Sequence, residues 1–164
     1  MKLQKDDVTR MMTFHHWATG KAFDAVAGLS PEELDRKWGG SFGTARALLK
    51  HIVGADQLWI ERLNGNSPKS MPEFPGSYAG QQFRDEWRKL EARERSFMDA
   101  LTPAQLAKDL TYTNLKGETF SRPLPDILYH VVNHGTYHRG QITHLLRDLG
   151  KDAPGTDYVL FLTL

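Results

Sequence analysis

Pro125-Asp-Ile-Leu-Tyr-His130-Val-Val-Asn-His134-Gly-Thr-Tyr-His138-Arg-Gly-Gln-Ile-Thr-His144-Leu-Leu-Arg-Asp-Leu-Gly150 is the stretch on which the fold turns. Ile127, Val131, His134, His138, Ile142, Leu145 and Leu149 recur at three- and four-residue spacing, the period of a helix with one buried face. Pro125-Asp126 suits its first turn and Gly150 its stop. Two histidines thus interrupt an otherwise apolar seam. On a wheel of about 100° per residue centred on Val131 and Leu149, His138 lies about 20° from the middle of the buried face and His134 about 60°. His130 falls about 100° away, at the margin, and His144 about 140°, on the surface.

The same period appears three times upstream. A first helix is predicted from Asp6 to Gly28, with Val8, Met11, Met12, His15, Ala18, Ala22 and Val26 on one side and Trp17 pointing the other way. A second runs from Thr44 to Leu63 with the stripe Leu48, Ile52, Ala55, Trp59, His51 at its edge, and the stop Asn64-Gly65. A third follows a Pro-, Gly- and Ser-rich loop and aligns Phe83, Trp87, Leu90, Phe97, Met98 and Leu101 opposite a densely charged face. Four such helices predict an all-α fold in one domain over residues 1–164.

The connections carry their own signals. Leu29-Ser-Pro-Glu-Glu-Leu34 and Leu101-Thr-Pro-Ala-Gln-Leu106 both read as N-cap, proline at the first helical position and Glu or Gln two residues on, so each is predicted to start a short helical turn. From Thr111 to Phe120, alternation around Lys116-Gly117 predicts a short hairpin or extended connection, not a sheet, before the last helix. Tyr158 to Leu164 is apolar and is expected to lie along the bundle as an extended tail.

Composition narrows the chemistry. The chain has no cysteine, which excludes a disulfide framework, a thiolate metal site and a thiol nucleophile, so any metal must be held by His, Asp or Glu. Twenty-one Lys and Arg against twenty Asp and Glu leave a net charge of +1, and no nucleic-acid or anionic-lipid partner is expected. The charged stretch Met1 to Arg10 lacks the apolar core of a secretory signal and no apolar run reaches membrane-spanning length, so a cytoplasmic protein is expected.

His134 and His138, four residues apart, stack on one helical surface and can chelate one ion, which would satisfy two buried imidazoles at once. Two imidazoles alone bind weakly, so a third ligand from a facing helix is expected, with one position left for water or substrate. His51 is the leading candidate and His15 the competitor, the latter having a simpler role as a hydrogen-bonded core residue. Asp56 and Glu61 are expected to face solvent, Arg139 to point outward, and Gln141 to neighbour the site. Trp17, Trp38, Trp59 and Trp87 are read as packing residues, not as a cofactor box.

At this point the residues resemble a known family. His130-Val-Val-Asn-His134-Gly-Thr-Tyr-His138-Arg-Gly-Gln141 is similar to the signature helix of the DinB/YfiT-like metal-binding bundles, Leu49-Lys-His51 through Trp59 resembles their second helix, and Leu149-Gly150 with Thr156-Asp157-Tyr158 their closing segment. The resemblance implies a four-helix bundle, up-down-down-up with a left-handed connection. It also implies a divalent metal, usually zinc or nickel, on the positions His51, His134 and His138. Homodimers are common among such proteins, which would give outward Trp17 a subunit contact. Members with a known activity are thiol-dependent transferases and isomerases that use a low-molecular-weight thiol. The expectation is therefore a metal-dependent enzyme of the thiol S-transferase or hydrolase type acting on a small molecule. The alternative is a non-catalytic protein in which the metal only fastens the second helix to the fourth.

Overall fold

The four periodic stretches form four long helices, and the computed structural model describes residues 4–164. Met1, Lys2 and Leu3, which begin the charged N-terminal stretch, lie outside the described residues. In chain order the elements are α1 (Lys5–Val26), α2 (Pro31–Asp35), α3 (Ala45–Leu63), α4 (Gly80–Ala100), α5 (Pro103–Leu106), β1 (Asp109–Thr113), β2 (Thr119–Pro123), α6 (Leu124–Asp148) and α7 (Tyr158–Phe161).

Both proline phrases start short helices. Ser30 Oγ accepts from Glu33 N at 3.2 Å while the Glu33 carboxylate accepts from Ser30 N at 2.9 Å. Thr102 and Gln105 make the same reciprocal pair. Each exchange satisfies two backbone donors that a helix start would otherwise leave bare. Thr44 caps α3 by accepting from Ala47 N at 3.1 Å, which fixes where the helix carrying His51 begins.

Cross-helix contacts give the directions. Arg46, at the start of α3, donates to Tyr78 O just before α4, and Glu61 near the end of α3 pairs with Arg93 far along α4, so these helices run the same way. Arg84 at the start of α4 pairs with Asp24 at the end of α1, which makes α1 and α4 antiparallel. His51 meets His138 and Trp59 meets His130, so α3 and α6 are antiparallel as well. The result is an up-down-down-up four-helix bundle in which α1 and α3 each pack against both α4 and α6. Gly80 permits the α1–α4 approach, since a Cβ there would sit 1.9 Å from Val26 O.

The core has two apolar halves. One gathers Phe23, Leu48, Ile52, Phe83, Trp87 and Leu146, and the other Met12, Phe14, Met98, Leu124, Leu128 and Val131. Fully burying each such side chain contributes roughly 1.5–3 kcal/mol, so packing of the seams holds these helices more than their intrinsic propensity does.

The connection before α6 is the expected short hairpin, but its two strands pair as a small antiparallel sheet, with Leu110 opposite Arg122 and Tyr112 opposite Phe120, because the Gly117 turn closes a ladder five residues long. Two further expectations need correction. The tail is not extended: Tyr158–Phe161 forms a helical turn whose Tyr158 and Phe161 rings pack on Phe14 at 5.0 and 5.8 Å. Trp17, expected to point outward, is half-buried with its ring 5.8 Å from that of Phe161, since the tail needs an apolar surface to cover. Among the described residues no helix is long and apolar enough to cross a membrane.

Candidate metal centre

His51 comes from the second turn of α3, and His134 and His138 from the middle of α6, one turn apart. Because α3 and α6 are antiparallel neighbours, the three rings meet between them. Their Nε2 atoms form a triangle with sides of 3.3 Å (His51 to His134), 3.2 Å (His51 to His138) and 3.0 Å (His138 to His134). Nitrogens bound tetrahedrally to one ion at about 2.0–2.1 Å stand about 3.3 Å apart, so the donor set fits a divalent cation such as zinc. His138 is buried, whereas His51 and His134 are partly exposed, which leaves the cluster open on one side. Among the described residues this group contains three donors and no fourth.

Electrostatics favours the ligand form of all three rings. Burial, and then repulsion from His138, His51 and His130, pushes the His134 imidazole down to about 3. Burial and then His138 lower His51. Burial lowers His138 too, against an opposing pull from its hydrogen bond to Gln141. Lowered basicity keeps each ring neutral near pH 7, with a lone pair free for a cation.

The surroundings shape the opening. Phe42, on the loop between α2 and α3, lays its ring 4.7 Å from that of His51 and 5.7 Å from that of His138. One turn further along α6, a surface cavity of about 520 Å³ is lined by Trp38, Tyr137, Gln141, His144 and Asp148 among others. None of the three histidines lines it, but Gln141 belongs to both, touching His138 and forming part of the cavity wall.

The other sequence candidates fall elsewhere. His15 is fully buried in the middle of the bundle and is not part of the trio. His130 is exposed and packs edge-on against Trp59 at 5.2 Å. His144 is at the surface, with Trp38 5.7 Å away, so Trp38 borders the cavity. Glu61 pairs with Arg93 at the rim. Two assignments are overturned: Asp56 is not solvent-facing but only 1 % exposed, and Arg139 does not point outward but is only 3 % exposed. Both occupy the seam of their helix. Asp56 lies about 40° from Ile52 on the wheel, and Arg139 follows Gly135 and precedes Ile142 at helical spacing, so periodicity carried a signal that their charge concealed. Phe42 carried no such signal, because its place over the histidines depends on a loop.

An up-down-down-up bundle that gathers three histidines from its second and fourth long helices defines the class of protein. The chain belongs to the DinB family, whose model matches residues 3–164. It is 28 % identical over 164 residues to the protein DinB of Bacillus subtilis, with 96 % of this chain and 94 % of that protein covered. Among solved structures it is similar to a DinB-like protein of Bacillus cereus, with a TM-score of 0.74, 22 % identity and coverage of 94 % of this chain and 99 % of the other. It is also similar to YfiT of Bacillus subtilis, with a TM-score of 0.70, 16 % identity and 92 % of each chain covered. That protein is described as a probable metal-dependent hydrolase with an unusual four-helix bundle topology.

Proposed function

We propose that this protein is a metal-dependent enzyme acting on a small molecule, with His51, His134 and His138 as the ligands of one divalent ion, zinc or nickel. The observation that carries the reading is the triangle of three Nε2 atoms with 3.0–3.3 Å sides, open on one side and lacking a fourth protein donor among the described residues. Held by three neutral imidazoles, such an ion keeps its full double charge and lowers the pKa of a water or thiol in its open position. The description of YfiT as a probable metal-dependent hydrolase supports the same class.

The residues of this chain do the positioning. His138 donates its Nδ1 proton to Gln141 Oε1 at 2.6 Å, which fixes the ring with Nε2 toward the centre. Phe42 shields one flank of the rings from water. The neighbouring cavity, at about 520 Å³, is of the size that takes a small organic molecule, and its Trp38, Tyr137 and His144 offer aromatic surface with a few polar groups. A low-molecular-weight thiol as co-substrate, with transfer to or from its sulfur, is the finer reading. The protein works in the cytoplasm as a homodimer, which sedimentation equilibrium would reveal as twice the chain mass.

The deciding experiment is elemental analysis of untagged protein followed by turnover assays with hydrolysable esters or amides and with a panel of thiols. One ion per chain and metal-dependent turnover support the reading. A parent that retains no ion in chelator-free buffer removes it. One ion per chain with no exchangeable ligand would favour a purely structural metal that ties α3 to α6.

A further inference from the structure

Halfway along the bundle, between its two apolar halves, every long helix contributes a buried polar group. His15, His16 and Thr19 come from α1, Asp56 from α3, Glu94 from α4 and Arg139 from α6. Glu94 Oε2 lies 2.8 Å from His16 Nε2. Arg139 donates from Nη1 to Thr19 Oγ1 at 3.0 Å and from Nη2 to Thr136 Oγ1 at 2.6 Å. These contacts leave three atoms without a partner, namely His15 Nε2 and both carboxylate oxygens of Asp56. Buried polar atoms without a partner are costly and rare, so the group needs an occupant.

Two candidates exist, a second cation and a water, and the geometry separates them. The ligand atoms of His15, Asp56 and Glu94 lie within 4.8 Å of one another, and His15 Nε2 is 3.9 Å from Asp56 Oδ2. That gap exceeds a direct hydrogen bond and the 3.0–3.3 Å spacing of the three-histidine cluster. One ion about 2.0–2.2 Å from both atoms would need to subtend roughly 125–155° between them, well above the tetrahedral angle, whereas an oxygen about 2.8–2.9 Å from each subtends just under 90°, which a water can adopt. The tautomer points the same way. Arg139 Nη1 stands 3.4 Å from His15 Nδ1 and can only donate, which leaves Nδ1 the acceptor and puts the ring proton on Nε2. A ring protonated on Nε2 has no lone pair there for a metal, but it can donate to a water.

We infer that His15, Asp56 and Glu94 enclose one structural water, not a second metal ion, and that Asp56 acts through this linkage as a positioning residue for the three-histidine centre. The inference rests on the proposed metal reading for its second half only. Asp56 lies on the helix of His51, five residues on. Arg139 follows His138, and Gly135 follows His134. At Gly135 a Cβ would stand 2.5 Å from the His15 ring, so α6 must present a bare backbone to let that ring in. The polar layer therefore fixes the rotation and height of α3 and α6 at the level where their histidines must converge. A one-residue slip of either helix would move Asp56 or Arg139 into the apolar halves.

The test uses the full chain. A crystal structure that resolves single waters, recorded with and without added zinc, reads the first half. Zinc titration with a competing chelator reads the second, on the parent, Asp56→Asn, Glu94→Gln and a control, Leu106→Ala, that loosens the core away from the layer. The inference expects one water hydrogen-bonded to His15 Nε2 and Asp56, and one zinc per parent chain. It also expects zinc affinity to fall about 10-fold or more in Asp56→Asn, while Leu106→Ala loses melting temperature and keeps its affinity. Should Asp56→Asn not fold, Glu94→Gln carries the affinity comparison. Zinc density between His15 and Asp56, or two zinc ions per parent chain falling to one in Asp56→Asn, overturns the water. Unchanged affinity in folded Asp56→Asn overturns the positioning role. A parent that takes no zinc overturns the metal reading and the positioning role with it, while density for the water still supports the first half.

Discussion

Gln141 Oε1 lies 2.6 Å from Nδ1 of His138, one turn further along α6. Since Nε2 of the same ring faces His51 and His134, the ring proton sits on Nδ1 and the amide accepts it. Gln141→Ala is expected to weaken zinc binding about 10- to 100-fold without loss of the fold, because the ring loses the acceptor that orients it. Chelator competition measures it, and unchanged affinity would contradict the assignment.

In the proposed metal site, His51 is the ligand that would tie α3 to the pair on α6. His51→Ala and His134→Ala should each abolish stoichiometric metal in elemental analysis while far-ultraviolet circular dichroism stays helical. Stripping the parent of metal should lower its melting temperature. An ion present at about 100 times its Kd stabilises by about 2.7 kcal/mol, on the order of 5–10 °C for a chain of this size. Identical melting curves before and after stripping would speak against linkage of the site to the fold.

Burial pushes the Glu94 carboxyl up to about 8 and the His16 ring down to about 4. The two sit 2.8 Å apart, a spacing that would also suit an ion pair, and in either form they hold one proton between them near neutral pH. A carboxyl raised in the folded state gives stability that is complete below its ordinary value of 4.5 and is lost as pH rises through about 8. A ring lowered in the folded state does the reverse below 6.5, so the two offset each other between 4.5 and 6.5. Metal-free protein should therefore lose stability between pH 6.5 and about 8, and Glu94→Gln should flatten that loss. Urea titrations across this range test the sign.

The two apolar halves differ from the surface in what they tolerate. Leu128 is fully buried and Leu162 is 57 % exposed. Leu128→Ala should cost about 2–5 kcal/mol through the cavity it leaves, and Leu162→Ala about 0.5 kcal/mol or less. Equal costs would mean that the tail is more tightly packed than its exposure implies.

Much of this protein was legible in its chain. Period alone placed the first, second and fourth long helices to within a few residues, found the third by its apolar stripe, and turned His134 and His138 inward, while the two cap phrases marked α2 and α5. Charge misled where period did not. Asp56 and Arg139 were assigned to solvent because buried charges are rare, although both fall on the seam of their helix, and Glu94 extends the spacing of Phe83, Trp87 and Leu90 in the same way.

By itself the sequence determined which residues each helix buries, because hydrophobic spacing is a property of one helix and is written locally. Only the tertiary structure decided which of those faces meet: that α3 runs antiparallel to α6, so that three Nε2 atoms come within 3.3 Å, and that buried polar groups from all four long helices gather in one layer at mid-bundle. A buried polar group is tolerable only beside others that can hydrogen-bond to it, and here those neighbours stand on different helices, as His16 with Glu94 and Thr19 with Arg139. No local pattern records that pairing, which is fixed when the helices pack.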